Sequence, residues 1–180
     1  TNDTELYNYL DTMRTQPFIL AMQAEGREWV TTFSEAARNS FDYVFTDAMT
    51  FLDHKGRRTH LWVNKEVIID DEQAYMDMML DRICSVLEEP VDMYVNSCFL
   101  PDAMSDRYDM FWTEERIDRF VNALAKSGKA LEINELYHIP NKAIIQKAKA
   151  AGVKFTFGSN NITPEVGTLD YCIRIPFSYG

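Results

Sequence analysis

Glycine and proline are scarce in this chain of 180 residues, seven and six in number, and neither gathers into a Gly/Ser- or Pro-rich stretch. A flexible linker between two domains is therefore excluded, and the length suits one domain folding as a unit. Cysteine is scarcer still: Cys84, Cys98 and Cys172 are odd in number and lack the C-x-x-C spacing of zinc or redox motifs, so they read as buried free thiols. No apolar run approaches the roughly 18 residues of a membrane-spanning helix. Positive charge is short as well, 18 Lys plus Arg against 28 Asp plus Glu, for a net charge of −10. Such a surface repels phosphate backbones and anionic headgroups, which disfavours nucleic acid and membrane surfaces and leaves a small molecule as the expected partner. The composition is that of a soluble protein, and with Thr1 as first residue any targeting segment would lie upstream, so cytoplasm and periplasm both stay open.

What is abundant is apolar and aromatic, 46% and 13% of residues, ample for a packed core. The apolar segments alternate in type. A helix is expected at Thr4 to Met13, then a short strand at 17–22 (PFILAM) and another at 41–46 (FDYVFT), each running into acid. Residues 58–63 (RTHLWV) form a weaker strand candidate, suited to an excursion outside the main sheet. From Glu72 to Glu88 the apolar positions Met76, Met79, Leu80, Ile83 and Leu87 fall on one helical face, and Pro90 ends that helix. The strand 91–95 (VDMYV) follows. Thr113 then caps a helix whose stripe is Ile117, Phe120, Val121 and Leu124, stopped by Gly128. Strand 130–133, helix 140–151 and strand 153–157 complete the alternation.

Strands alternating with helices of 10 to 17 residues imply βαβ units and a parallel α/β sheet, open or closed as a barrel, with function at the strand C-termini. Glu25, Asp47, Asn96, Asn134 and the group Ser159, Asn160, Asn161 fall there. Acids in that position suit a divalent cation, and Glu25 and Asp47 are the first candidates; the bland alternative is that they cap the helices that follow. Of His54, His60 and His138, the last sits in the loop after a strand, on the acidic face, and is the best functional candidate. Arg58, with Arg57 and Lys55 around Gly56, suits a phosphate or carboxylate, although D-H-K-G-R-R is equally good turn chemistry. The aromatic set Trp29, Tyr94, Phe99, Trp112 and Tyr137 reads as core sooner than as a sugar-stacking surface.

The stretch from Lys126 to Asn161, KSGKALEINELYHIPNKAIIQKAKAAGVKFTFGSNN, resembles the PHP (polymerase and histidinol phosphatase) domains in its helix, alEiN strand, second helix and strand closing in a GSDAH-like turn. AMQAEGREW, FDYVFTDA and VDMYVNSCFLP are similar to three further strands of that family, in the same order. The resemblance runs from about Pro17 onward. It implies a distorted seven-stranded (β/α) barrel, whose opening strands would precede this chain, and a metal-dependent phosphoesterase using Mn, Fe or Zn. Glu25 matches a metal-bridging acid, Asp47 stands near a family histidine, and Asn160 stands where the family has an aspartate. Asn96 replaces another family histidine, so charge and basicity that a metal cluster needs are missing.

Two functions follow. One is a PHP-like metal-dependent hydrolase in which Glu25, Asp47 and His138 are catalytic, Glu25, Asp47 and Asn160 hold the cation, and Asn96, Asn134, Asn160, Asn161 and Arg58 bind substrate. The other is an inactive barrel of the same type that binds a carbohydrate-like or phosphorylated ligand through its amides and acids.

Overall fold

The computed structural model describes residues 2–164 and 167–175. Helix α1 (Asp3–Met13) begins where the Asn2 side chain accepts the amide of Glu5. Strand β1 (Ala21–Ala24) is followed by the single turns α2 (Trp29–Thr32) and α3 (Glu35–Arg38), and then by β2 (Tyr43–Thr46). Next come β3 (Thr50–Leu52) and β4 (Arg58–His60), paired as an antiparallel hairpin outside the main sheet. At its tip Asp53 accepts the amides of Lys55 and Arg57. Helix α4 (Glu72–Val86) leads to β5 (Met93–Tyr94), the turns α5 (Asp102–Ser105) and α6 (Tyr108–Phe111), and α7 (Glu114–Ser127). Strand β6 (Ala130–Asn134), α8 (Lys142–Ala150), β7 (Phe155–Gly158) and α9 (Asp170–Arg174) complete the elements of the described residues.

The long helices start and stop where their residues dictate. Asp71, Thr113 and Asn141 each accept an amide in the first turn of α4, α7 and α8, and Gly128 ends α7 at φ 72°, a conformation that a Cβ would oppose. The strands lie one to a few residues from the expected positions. β1 is the largest displacement: it starts at Ala21, because Leu20 donates its amide to the Asp42 side chain instead of to a strand neighbour.

The main sheet has five parallel strands in the order β1-β2-β5-β6-β7, so each strand lies beside the one before it once the hairpin is set aside. The protein is thus a mixed α/β fold with a parallel sheet flanked by helices. Strand periodicity separates the two faces. Tyr94 of β5 and Leu131 of β6 pack with Met76, Met79, Leu80 and Ile83 of α4, Phe120 and Leu124 of α7, and Ile144 and Ala148 of α8 in the main core. A second core joins Leu10, Met22, Trp29, Phe41 and Val44 under α1. The alternate residues Tyr43, Phe45, Met93, Ala130, Glu132 and Thr156 face the other way, are only half-buried, and line an open groove of about 810 Å³.

Candidate functional site at the strand ends

Parallel strands put all their C-termini on one edge, so the residues that follow them meet there. Asp47, next after β2, is 6% exposed. Its Oδ1 accepts the Met49 amide at 2.9 Å and its Oδ2 accepts Asn96 Nδ2 at 3.0 Å, so this acid caps a turn instead of a helix. Asn96, held at φ 46°, is the hub. Its amide N–H donates to Glu132 Oε2 at 2.8 Å, and its Oδ1 accepts from Asn134 Nδ2 at 3.1 Å and from Asn160 Nδ2 at 3.4 Å. Asn134 Nδ2 also donates to Glu132 Oε2 at 3.2 Å. Asparagine tolerates the left-handed backbone that both Asn96 and Asn160 adopt, which is a local reason for amides here.

Burial pushes the Asp47 carboxyl up. The Met49 amide and the Asn96 side chain oppose that, and the Glu25 charge adds to it. Burial likewise raises Glu132, against the hydrogen bonds from Asn96 and Asn134, and the Asp47 charge raises it further. Asp47 therefore feels the Glu25 charge, and Glu132 feels the Asp47 charge, along the edge. Glu132 lies so close over Gly158 that a Cβ there would stand 1.9 Å from its Oε1; glycine is required by contact.

Glu25 itself is exposed, and its Oε1 accepts Thr50 Oγ1 at 2.7 Å. His60 Nε2, from β4 of the hairpin, stands 3.9 Å from the same oxygen, while its Nδ1 is 2.6 Å from Glu66 Oε2. Those hydrogen bonds hold the Glu66 carboxyl below its ordinary range. Behind the edge, Arg27 pairs with Glu89 and also donates to Thr46 Oγ1 and to the Asp47 carbonyl, and Trp29 Nε1 donates to Glu89 Oε2 at 2.8 Å.

Asp47, Asn96, Asn134 and Asn160 thus come together, with Glu25 at the margin and Asn161 lining the groove beside Ser159 and Asn160. Two candidates lie elsewhere. The His138 ring stacks on Tyr171 of α9 at 4.6 Å and 16°, bordering a cavity with Glu135 and Arg174. Arg58 lines a cavity of about 300 Å³ with Gly26, Arg27 and Thr50, its guanidinium 3.6 Å from Glu28. Glu132 and Thr50 were missed by sequence reasoning. The signal for Glu132 is the strand alternation in ALEIN, which sends Leu131 and Ile133 to the helices and Glu132 with Asn134 to the opposite face. Thr50 and His60 carry no such signal, since only the folded hairpin brings them to Glu25.

The metal implied by the resemblance is not matched by this donor set. Among the described residues no three of His, Cys, Asp and Glu are grouped to hold an ion. Asp47 is buried and accepts from Met49 and Asn96, and the Asn160 amide nitrogen turns to Asn96. No protein-family model and no curated protein matches the chain.

Proposed function

We propose that the strand-end edge binds a neutral, hydroxyl-rich small molecule, on a scaffold of the PHP barrel type. The observation that carries this reading is the amide and carboxylate network around Asn96, which opens through Glu132, Ser159 and Asn160 into the groove. Carboxylates accept from hydroxyls, and amides both donate and accept, so a polyol meets complementary partners at each oxygen. Among the described residues no lysine or arginine lines the groove, while Asp42, Asp92 and Glu132 do, which argues against a phosphorylated ligand there. The stepwise strand order, with the long helices packed on one face, supports the barrel, because a sheet wound in one sense curls toward closure.

The test is thermal stability of the protein titrated with myo-inositol and neutral hexoses. A rise in Tm that vanishes in Asn160→Ala is expected; Asn160 is exposed, so that variant should fold. The absence of any shift, or an unchanged shift in the variant, sinks the reading.

Hydrolysis at the same edge is a second reading, favoured by the electrostatic pairing of Asp47 with Glu25 on one side and with Glu132 on the other. Elemental analysis of protein purified without chelator separates the two. Near-stoichiometric Mn, Fe or Zn that is lost in Glu25→Gln would establish a metal centre and justify a phosphoester substrate screen, and a metal-free protein favours the binding reading.

A further inference from the structure

The groove on the open face of the sheet continues well past the strand-end network, and its floor changes character along the way. Its volume of about 810 Å³ lies in the range that encloses a drug-sized molecule, whereas a polyol held by the amides covers only the end near the strand C-termini. The strand register fixes the layout. Phe45 pairs with Met93 and Met93 with Ala130, so three adjacent strands set one row of side chains across the floor. Glu132 and Thr156 pair in the next row toward the strand ends. That row is two residues along β6 from Ala130, a rise of about 6.6 Å. Tyr43 lies on the far side of the first row, its ring centroid 5.9 Å from that of Phe45.

The side chains of Phe45, Met93 and Ala130 hold no hydrogen-bonding nitrogen or oxygen, and all three residues are only half-buried, on the face turned away from the long helices. A polyol at Glu132 and Asn160 leaves this row in water, while a ligand that also covers it gains the free energy of removing apolar surface from solvent. A flat ring suits the row better than a chain does. It meets the Phe45 and Tyr43 rings and the Met93 thioether, all of which pack well against aromatic groups, and a ring joined to a sugar through one oxygen reaches from the Glu132 row to this one. Past the row, Asp42 and Asp92 close the far end of the groove, each fixed by one oxygen to a backbone amide, of Leu20 at 2.7 Å and of Val44 at 2.8 Å. Their charges oppose an anionic substituent there.

We infer that the ligand of the groove is amphipathic, a hydroxyl-rich ring at the amide end carrying an aromatic substituent that lies on Phe45, Met93 and Ala130. The inference rests on the polyol reading above and names the class of polyol. The test is isothermal titration calorimetry of the whole chain with matched methyl and phenyl β-glycosides of glucose, galactose and N-acetylglucosamine, and with phenol alone. For at least one sugar the phenyl glycoside is expected to bind about tenfold more tightly than the methyl one. That gain disappears in Phe45→Ala and in Ala130→Asn, with the methyl glycoside unaffected, whereas Asn160→Ala weakens both. Ala130 faces the open groove, so its variant leaves the core intact and guards against a folding defect in the phenylalanine variant. Equal affinity of the methyl and phenyl members overturns the inference and leaves the polyol reading standing. Absence of binding by every glycoside overturns both. A phenyl gain that survives both floor variants puts the ring elsewhere, and phenol binding as tightly as the phenyl glycoside makes the sugar dispensable; either result overturns the inference.

Discussion

Glu132 shows how one side chain ties the strand ends together while remaining costly to ionise. It accepts from Asn96 and Asn134, covers Gly158, and has its carboxyl raised by burial. A carboxyl whose native pKa exceeds its unfolded value holds its proton more tightly in the folded state. The stability this contributes is full below the ordinary glutamate value of 4.5 and is lost as pH rises through the raised native value. Glu132→Gln keeps an oxygen for both donors and removes the charge. Urea unfolding of the two proteins across pH should show the variant gaining on the parent as pH rises above 4.5, and removal of the charge also relieves Asp47. Asp53, whose carboxyl is lowered to about 2, and Glu66 and Glu72, also lowered, act in the opposite sense but are common to both proteins and cancel, so the difference reads Glu132 together with the Asp47 charge coupled to it. A parallel dependence in the two proteins would refute the assignment.

Among the elements, α7 carries the most of its own instructions. Thr113 Oγ1 accepts the Arg116 amide, Glu114 and Glu115 face the positive end of the helix, and Gly128 closes it. Arg116 then reaches Asp77 of α4 at 2.7 Å and the Phe111 carbonyl at 3.0 Å, fastening the helix to its neighbours. Thr113→Ala should cost about 1 kcal/mol in denaturant unfolding, with the fold retained. A loss within error of zero would mean that the acidic first turn and the packing of Phe120 and Leu124 hold the helix start unaided.

At the scale of the molecule, stability is graded across the sheet. β2, β5 and β6 have a strand on each side, while β1 and β7 are its edges. The buried residues Tyr94, Leu131 and Ile133 sit on those central strands under the long helices. Native-state hydrogen exchange should therefore find the slowest amides in β2, β5 and β6 and faster ones in β1, because opening an edge strand disrupts one ladder and less of the core. Uniform protection across all five strands would indicate a sheet that opens only as a whole.

The helices α4, α7 and α8 were legible to within a few residues, since caps and a 3.6-residue apolar period act locally and the same residues bury whatever the neighbours. The parallel sheet followed from strict alternation of strands and helices, and the polar residues at the strand ends from the places where the apolar runs stop. Their interplay was not legible. The Asn96 hub joins residues 38 and 49 positions apart, and no local pattern encodes a hydrogen bond of that span. Likewise His138 looked like part of the acidic face by position, whereas its left-handed backbone at φ 53° accompanies a ring stacked on Tyr171. The sequence by itself determined which segments fold and which edge is polar, because propensity and periodicity are properties of neighbouring residues. Tertiary structure alone decided which polar groups share a hydrogen bond, a cavity or the effect of a neighbouring charge, because burial and through-space distance exist only once the strands are side by side.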